Sequence, residues 1–178
     1  MSSLKRLEDI ALSNYDIMRL LNKKVKIVLY PDLYKYKTID QLLYPYDCCI
    51  LLYESKKNYG HWTAIIKRNN AVEFFNSYGG DKNGLPDESL KLINPVFRII
   101  SNQIFPYLKS LMYNSPYELN YNEFAFQKKG HDIRTCGRHC VVRCLCRNMN
   151  IYQYKEFLDI LCKYFRTDYD GIVTIMTS

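Results

Sequence analysis

Apolar residues recur along this chain with two different periods. Between residues 4 and 22 they come at helical spacing, as one or two helices, and Ser13 followed by Asp16 reads as a capping box opening Ile17-Met18-Arg19-Leu20-Leu21. Val25 to Leu29 alternates as a strand does, with Val25, Ile27 and Leu29 on one face, and Pro31 ends it. Thr38 to Leu43 reads as a short capped helix. Cys48 to Tyr53 is an unbroken apolar run, consistent with a buried strand. Trp62 to Ile66 and Val72 to Phe75 read as two further strands with a turn at Asn69-Asn70 between them, and Gly79-Gly80-Asp81 breaks the pattern. Leu85 to Leu92 and Ile99 to Met112 read as helices, the second kinked or split by Pro106. Phe124-Ala125-Phe126-Gln127 reads as a short strand, and Thr135 to Arg147 and Tyr152 to Tyr164 as helices.

The order is helices, strands, helix, strand, helices. It predicts an α+β fold with a small, mostly antiparallel sheet flanked by helices. At 178 residues the chain is expected to form a single domain, residues 1–178, with 1–22 as a helical N-terminal segment. Hydrophobic residues make up 48% and charged residues 24%, as in soluble globular proteins. The net charge of +7 favours anionic partners such as nucleic acid, but the cations are scattered, which fits a solvated basic face equally well. Seven cysteines are an odd number, and Met1-Ser2-Ser3-Leu4-Lys5-Arg6 leads into a charged amphipathic stretch rather than a signal peptide. A reducing compartment is expected. No apolar run is long enough to cross a membrane.

Candidate chemistry concentrates in Thr135-Cys136-Gly137-Arg138-His139-Cys140 and in Gly60-His61-Trp62. If Thr135 caps its helix, Cys136 sits in the first turn, where backbone N–H groups and the helix dipole favour a thiolate. Gly137 would leave its own N–H unshielded for a substrate carbonyl oxygen. The alternative is a buried cysteine filling a gap between helix and sheet. His61, at the mouth of a strand, is placed to take the thiol proton and return it to a leaving amine. Asn76 ends the second strand of the hairpin, and a tight turn near Asn69-Asn70 would bring it beside His61, where an amide fixes the imidazole tautomer; asparagine also begins turns often. Gln127 could donate its side-chain N–H to a developing oxyanion. A rival reading takes His131, Cys136, His139, Cys140, Cys144 and Cys146 as a zinc site in a nucleic-acid-binding module. Against it, Cys136, Cys140 and Cys144 recur at helical spacing, as one buried face would.

Gly-His-Trp, a strand pair ending in an amide before serine, then Gln, then Thr-Cys-Gly resembles the ordered pattern of the clan of adenovirus proteases and ubiquitin-like proteases. Phe74-Phe75-Asn76-Ser77-Tyr78-Gly79 and Thr135-Cys136-Gly137-Arg138-His139-Cys140 look most like the maturation proteases of virophages, Polinton-like elements and large DNA viruses. The resemblance implies a papain-like cysteine protease superfold with Cys136 as nucleophile, His61 as general base and acid, Asn76 as orienter and Gln127 as oxyanion donor, without a cofactor. A resting ion pair of Cys136 and His61 is one form this chemistry takes. Trp62 would pack beside the site and line the substrate channel. The implied substrates are viral capsid or core precursor proteins cut after small residues such as Gly-Gly, in the virion or the virus factory of the host cell, by a monomer with at most non-specific DNA contact. A peptidase removing ubiquitin-like modifiers keeps the same chemistry with another substrate. Two features depart from the pattern. Many relatives carry Asp where this chain has Asn76, with Asp81 as a substitute, and Gln127 lies farther ahead of Cys136, so that residues 128–134 must bulge. Cys162 is a thiol able to tether an activating peptide, or else a buried helix cysteine.

Overall fold

The computed structural model describes residues 3–79 and 85–178 and builds them around one five-stranded sheet. The strands are β1 (Lys26–Leu29), β2 (Cys48–Lys56), β3 (Tyr59–Arg68), β4 (Ala71–Phe75) and β5 (Glu118–Tyr121), side by side in that order. β2, β3 and β4 pair antiparallel, and β1 and β5 join the two sides in parallel. The unbroken apolar run in β2 has a simple cause. Cys48, Ile50 and Leu52 enter one core cluster while Cys49, Leu51 and Tyr53 enter the other, so both faces of the strand are covered.

The helices are α1 (Ser3–Glu8), α2 (Asn14–Leu20), α3 (Ile39–Leu43), α4 (Pro95–Ile100), α5 (Tyr107–Tyr113), α6 (Cys136–Leu145), α7 (Ile151–Phe165) and α8 (Tyr169–Met176). Residues of α2, α6, α7 and α8 pack with Ile50, Leu52, Ala64 and Ile66 on one face of the sheet. Residues of α3, α5 and a 3-10 turn at Tyr30–Lys35 pack with Leu51, Ile65, Val72 and Phe74 on the other. The result is a helix–sheet–helix α+β sandwich. The Ser13–Asp16 capping box and the Thr38 cap form as the sequence predicts.

Two expectations need correction, and the split expected at Pro106 is found. Phe124–Gln127 is not a strand, because the Phe126 and Gln127 N–H groups both donate to one acceptor, the Ser77 carbonyl, which leaves no ladder to extend. The sheet position is taken instead by β5, Glu118-Leu119-Asn120-Tyr121, which starts six residues before Phe124. Leu85–Leu92 forms only a 3-10 turn at Glu88–Leu92, entered through Asp87 at φ +68°, a left-handed backbone that a helix does not continue through. Ile99–Met112 is divided between α4 and α5, with Asn102 at φ +59° and Pro106 in the break. The break at Gly79-Gly80-Asp81 and the alternative orienter Asp81 fall on positions outside the described residues, apart from Gly79.

A buried ion pair joins β4 to α6. Arg143 Nε and Nη2 donate to Glu73 Oε2 and Oε1, both at 2.9 Å. Nη1 and Nη2 also reach the carbonyls of Cys146 and Met149 at 2.9 and 2.8 Å, and the guanidinium lies 4.9 Å from the centre of the Tyr154 ring. Removing one partner strands a charge in the core, and Arg143→Ala should lower the unfolding free energy by about 3–5 kcal/mol in urea titrations. The paired change Glu73→Leu with Arg143→Met should recover most of that loss, because it removes both charges and keeps the volume.

Candidate active site

The hairpin places the first two functional side chains. β3 and β4 turn over two residues, Asn69 and Asn70, with Arg68 opposite Ala71 and Asn69 at φ +55°. The ladder ends at Ala64 opposite Phe75. Beyond that pair Asn76 leaves β4, and its Oδ1 lies 2.8 Å from His61 Nε2. The Tyr78 backbone N–H donates to the same Oδ1 at 3.0 Å, while Asn76 Nδ2 points to Ser89 Oγ at 3.4 Å. The oxygen of the amide therefore faces His61, so Nε2 carries the proton and Nδ1 is the basic nitrogen. Asn76 begins a turn and holds the imidazole with one oxygen, so the two readings of it are a single geometry.

Cys136 opens α6, the helix on the same face of the sheet as Trp62. Backbone N–H groups of Trp62, Gly137 and Cys136 itself approach its sulfur and favour the thiolate, but burial outweighs them and pushes the thiol above its ordinary pKa. Trp62 lies past the end of the β3–β4 ladder, where its main chain has no partner in β4. Trp62 follows His61 directly, and His61 and Cys136 line the same cleft. Burial also pulls His61 below its ordinary value, with the Asn76 bond opposing. Both shifts favour the neutral forms. Burial thus works against a resting ion pair and favours a thiol with a neutral imidazole.

Gln127 lies across from them, positioned by the turn after β4. Its Oε1 accepts from Ser77 Oγ at 2.6 Å, and its Nε2 donates to Tyr78 Oη at 3.3 Å and to the Ile133 carbonyl at 3.5 Å. Cys136, His61, Trp62 and Gln127 all line one cleft of about 1030 Å³, walled on its far side by Leu12, Tyr15 and Met18 of the N-terminal segment. Trp62 Nε1 donates to the Leu12 carbonyl at 3.3 Å, which ties that wall to the site.

Two expectations about the helix start do not hold. Thr135 makes no side-chain cap; its hydroxyl is used on Asp170 at 2.6 Å. Gly137 does not line the cleft but lies buried under Trp62 and Leu12, where an added Cβ would meet Trp62 Cδ1 at 3.1 Å and Leu12 Cβ at 3.3 Å. Packing of the indole, rather than approach of a substrate, is what requires glycine there. The zinc reading also fails among the described residues, where no three His, Cys, Asp or Glu side chains converge as a metal site needs. Cys140 and Cys144 are core residues, and His139 is bonded to Asp170. Cys162 is free and partly buried on α7.

Sequence reasoning missed two site residues. Tyr78 stacks on the His61 ring, with centroids 4.9 Å apart and 18° between planes. Asn122, fully buried, accepts the Asn76 backbone N–H at 3.0 Å and donates to the Asn76 carbonyl at 2.7 Å, extending the β4–β5 ladder by a side chain. Gly79 passes so close that a Cβ would fall 2.2 Å from Asn122 Nδ2. Tyr78 was visible only as a neighbour of Asn76, and Asn122 carried no local signal.

The neutral resting pair has two measurable consequences. Iodoacetamide alkylation of Cys136, followed by mass spectrometry of its peptide, should rise with a midpoint above the value of about 8.5 for a free thiol and show no acidic plateau. His61 has a folded pKa below its ordinary 6.5, so the unfolded chain takes the proton first on acidification. The stability this group contributes is complete above 6.5 and lost as pH falls below it. Urea midpoints should therefore drop more between pH 7.5 and 5.5 in the wild type than in His61→Gln.

No family model matches the chain. Among solved structures, the crystal structure of the ASFV pS273R protease is similar with a TM-score of 0.49 and 18% identity, covering 97% of this chain and 68% of that one. Among curated proteins, uncharacterized protein V9 of Sputnik virophage is 52% identical over 178 residues, covering 99% of each chain. The chain belongs to the same family as Sputnik virophage protein V9.

Proposed function

We propose that this protein is a cysteine endopeptidase that cleaves viral precursor proteins. The observation that carries the reading is the fixed tautomer of His61: with Nε2 donating to Asn76, Nδ1 is the basic nitrogen of a ring that lines the same open cleft as Cys136. In this mechanism Nδ1 takes the thiol proton as the sulfur attacks the scissile carbonyl carbon. The Gln127 amide and the Cys136 backbone N–H donate to the oxyanion, as preorganised dipoles in a partly dry site. The imidazolium then protonates the leaving amine, and water releases the acyl-enzyme through the same base. Because the resting pair is neutral, proton transfer accompanies attack, and a neutral Asn76 suits that chemistry: it holds the ring without demanding a charged imidazole.

The proposed substrates are capsid or core precursors, cut after small residues such as Gly-Gly within the virus factory or the virion, as the motif resemblance to viral maturation proteases implies. The net charge of +7 is compatible with non-specific DNA contact, and no described helix is long and apolar enough to cross a membrane. The enzyme is proposed to act as a monomer.

Incubating the protein with recombinant virophage capsid and core proteins, and in parallel with a Gly-Gly-linked ubiquitin-like fusion, should give new N-termini in the first set. Cleavage of the fusion alone would move the substrate assignment to ubiquitin-like modifiers. Cys136→Ala should give no new termini from either while keeping the wild-type melting curve. Loss of the base in His61→Ala should cut kcat/KM by about 10²–10⁴-fold, and Asn76→Ala by less. Processing by Cys136→Ala at the wild-type rate would end the thiol-enzyme reading.

A further inference from the structure

Asp170 lies in the first turn of α8, only 1% exposed, in a stretch that no motif marks. Three groups converge on its carboxylate. Oδ1 accepts the Thr135 hydroxyl at 2.6 Å and His139 Nε2 at 2.9 Å, and Oδ2 accepts the Lys128 backbone N–H at 3.0 Å. Two of these partners are neighbours of the site in sequence. Thr135 directly precedes Cys136, and Lys128 directly follows Gln127. A single carboxylate from the C-terminal helix thus ties the start of the nucleophile helix to the end of the Gln127 segment. On the cysteine-protease reading above, we propose that Asp170 is a positioning residue that fixes the spacing between the two oxyanion donors, the Gln127 amide and the Cys136 N–H.

The surroundings leave few other groups to do this. The Thr135 hydroxyl is spent on Asp170 rather than on capping α6, so the direction of the helix start is set from outside the helix. Across the loop of residues 128–134, the direct bond from Gln127 to Ile133 is long at 3.5 Å, and the Ile133 N–H to the Gly130 carbonyl is 3.4 Å. The Arg134 N–H goes out of the loop altogether, to the Glu8 carbonyl. Asp168, the cap of α8, adds a partly exposed ion pair with Lys128 Nζ at 2.8 Å. Placement in the first turn of α8 favours a negative group, and full satisfaction by three donors offsets the cost of burying it. His139 Nδ1 has no protein partner among the described residues, so what the imidazole contributes in this core position is its bond to Asp170.

The donor types predict which substitutions are tolerated. The Lys128 N–H can only donate, whereas a hydroxyl and a neutral imidazole can each switch from donor to acceptor. An asparagine can therefore turn its oxygen to Lys128 and its amide to Thr135 and His139, and keep the tie. An alanine cannot.

The test compares wild type, Asp170→Ala, Asp170→Asn, Thr135→Val and a core control, Leu158→Ala on α7. Each is assayed with a fluorogenic peptide amide carrying Gly-Gly before the scissile bond, by iodoacetamide alkylation of Cys136, and by thermal melting. A displacement of catalytic groups of order 1 Å predicts a fall in kcat of about 10²-fold for Asp170→Ala, with little change in KM. Asp170→Asn should recover most of that loss, and Thr135→Val should fall between the two at a melting temperature near wild type. Leu158→Ala should melt lower with its kcat retained. If kcat follows melting temperature alone across the set, or if Thr135→Val and Asp170→Asn both match wild type while KM carries the change, the proposal is overturned. Should Asp170→Ala fail to fold, Thr135→Val decides: a reduced kcat supports the proposal and an unchanged one overturns it. If the wild type hydrolyses no peptide, the protease reading fails by itself, and the Cys136 alkylation rate in Thr135→Val still reports the tie, slowed if it acts and unchanged if it does not.

Discussion

The buried pair of Glu73 and Arg143 is the constraint on which the rest of this structure depends. Among the described residues it is the one place where a charged side chain of the sheet pairs with a charged side chain of α6 in the core, with two bonds of 2.9 Å. Glu73 lies three residues before Asn76 on β4, and Arg143 lies seven residues after Cys136 on α6. Apolar contact alone would let a helix slide or turn on a sheet by small amounts at little cost. A bidentate buried pair resists this, because any slip weakens two charged bonds at once. The strand that presents the orienter and the helix that presents the thiol are therefore locked at one offset.

Within that frame, the site is built from backbone as much as from side chains. The turn after β4 does three things within four residues. Asn76 holds His61, Ser77 fixes Gln127 through its hydroxyl and its carbonyl, and Tyr78 covers the imidazole ring. Asn122 stands in for a strand residue and keeps the turn at the edge of the sheet. The opposing effects on Cys136 and His61 have one source. A cleft dry enough to make preorganised donors effective also raises the cost of charge, so the same burial that strengthens an oxyanion site holds the resting pair neutral.

Much of this was legible in the sequence where local chemistry dictates the outcome. The Ser13–Asp16 box and Thr38 cap are set by side chains within one helical turn. The Asn69-Asn70 turn fixes a two-residue hairpin, and the hairpin fixes that Asn76 returns beside His61. Failures came where long-range partners decide. Phe124 to Gln127 reads as a short strand, yet the Ser77 carbonyl captures two of its N–H groups and its phenyl rings join the core cluster that holds α6, α7 and α8. Glu118–Tyr121 has a weak strand pattern and becomes β5 because the parallel edge of β4 is there to receive it. Gly137 looked like an opening for substrate, and only the position of Trp62 shows it to be a packing requirement.

The sequence by itself determined the identities and order of Cys136, His61, Asn76 and Gln127, and the hairpin that joins two of them, because turn chemistry and strand period act over a few residues. Tertiary structure alone decided the burial that favours the neutral forms of the pair, the tautomer of His61, the use of Thr135 by Asp170 and the placement of Tyr78 and Asn122. Each of those depends on burial or on a donor brought from a distant segment, and neither leaves a periodic trace in the chain.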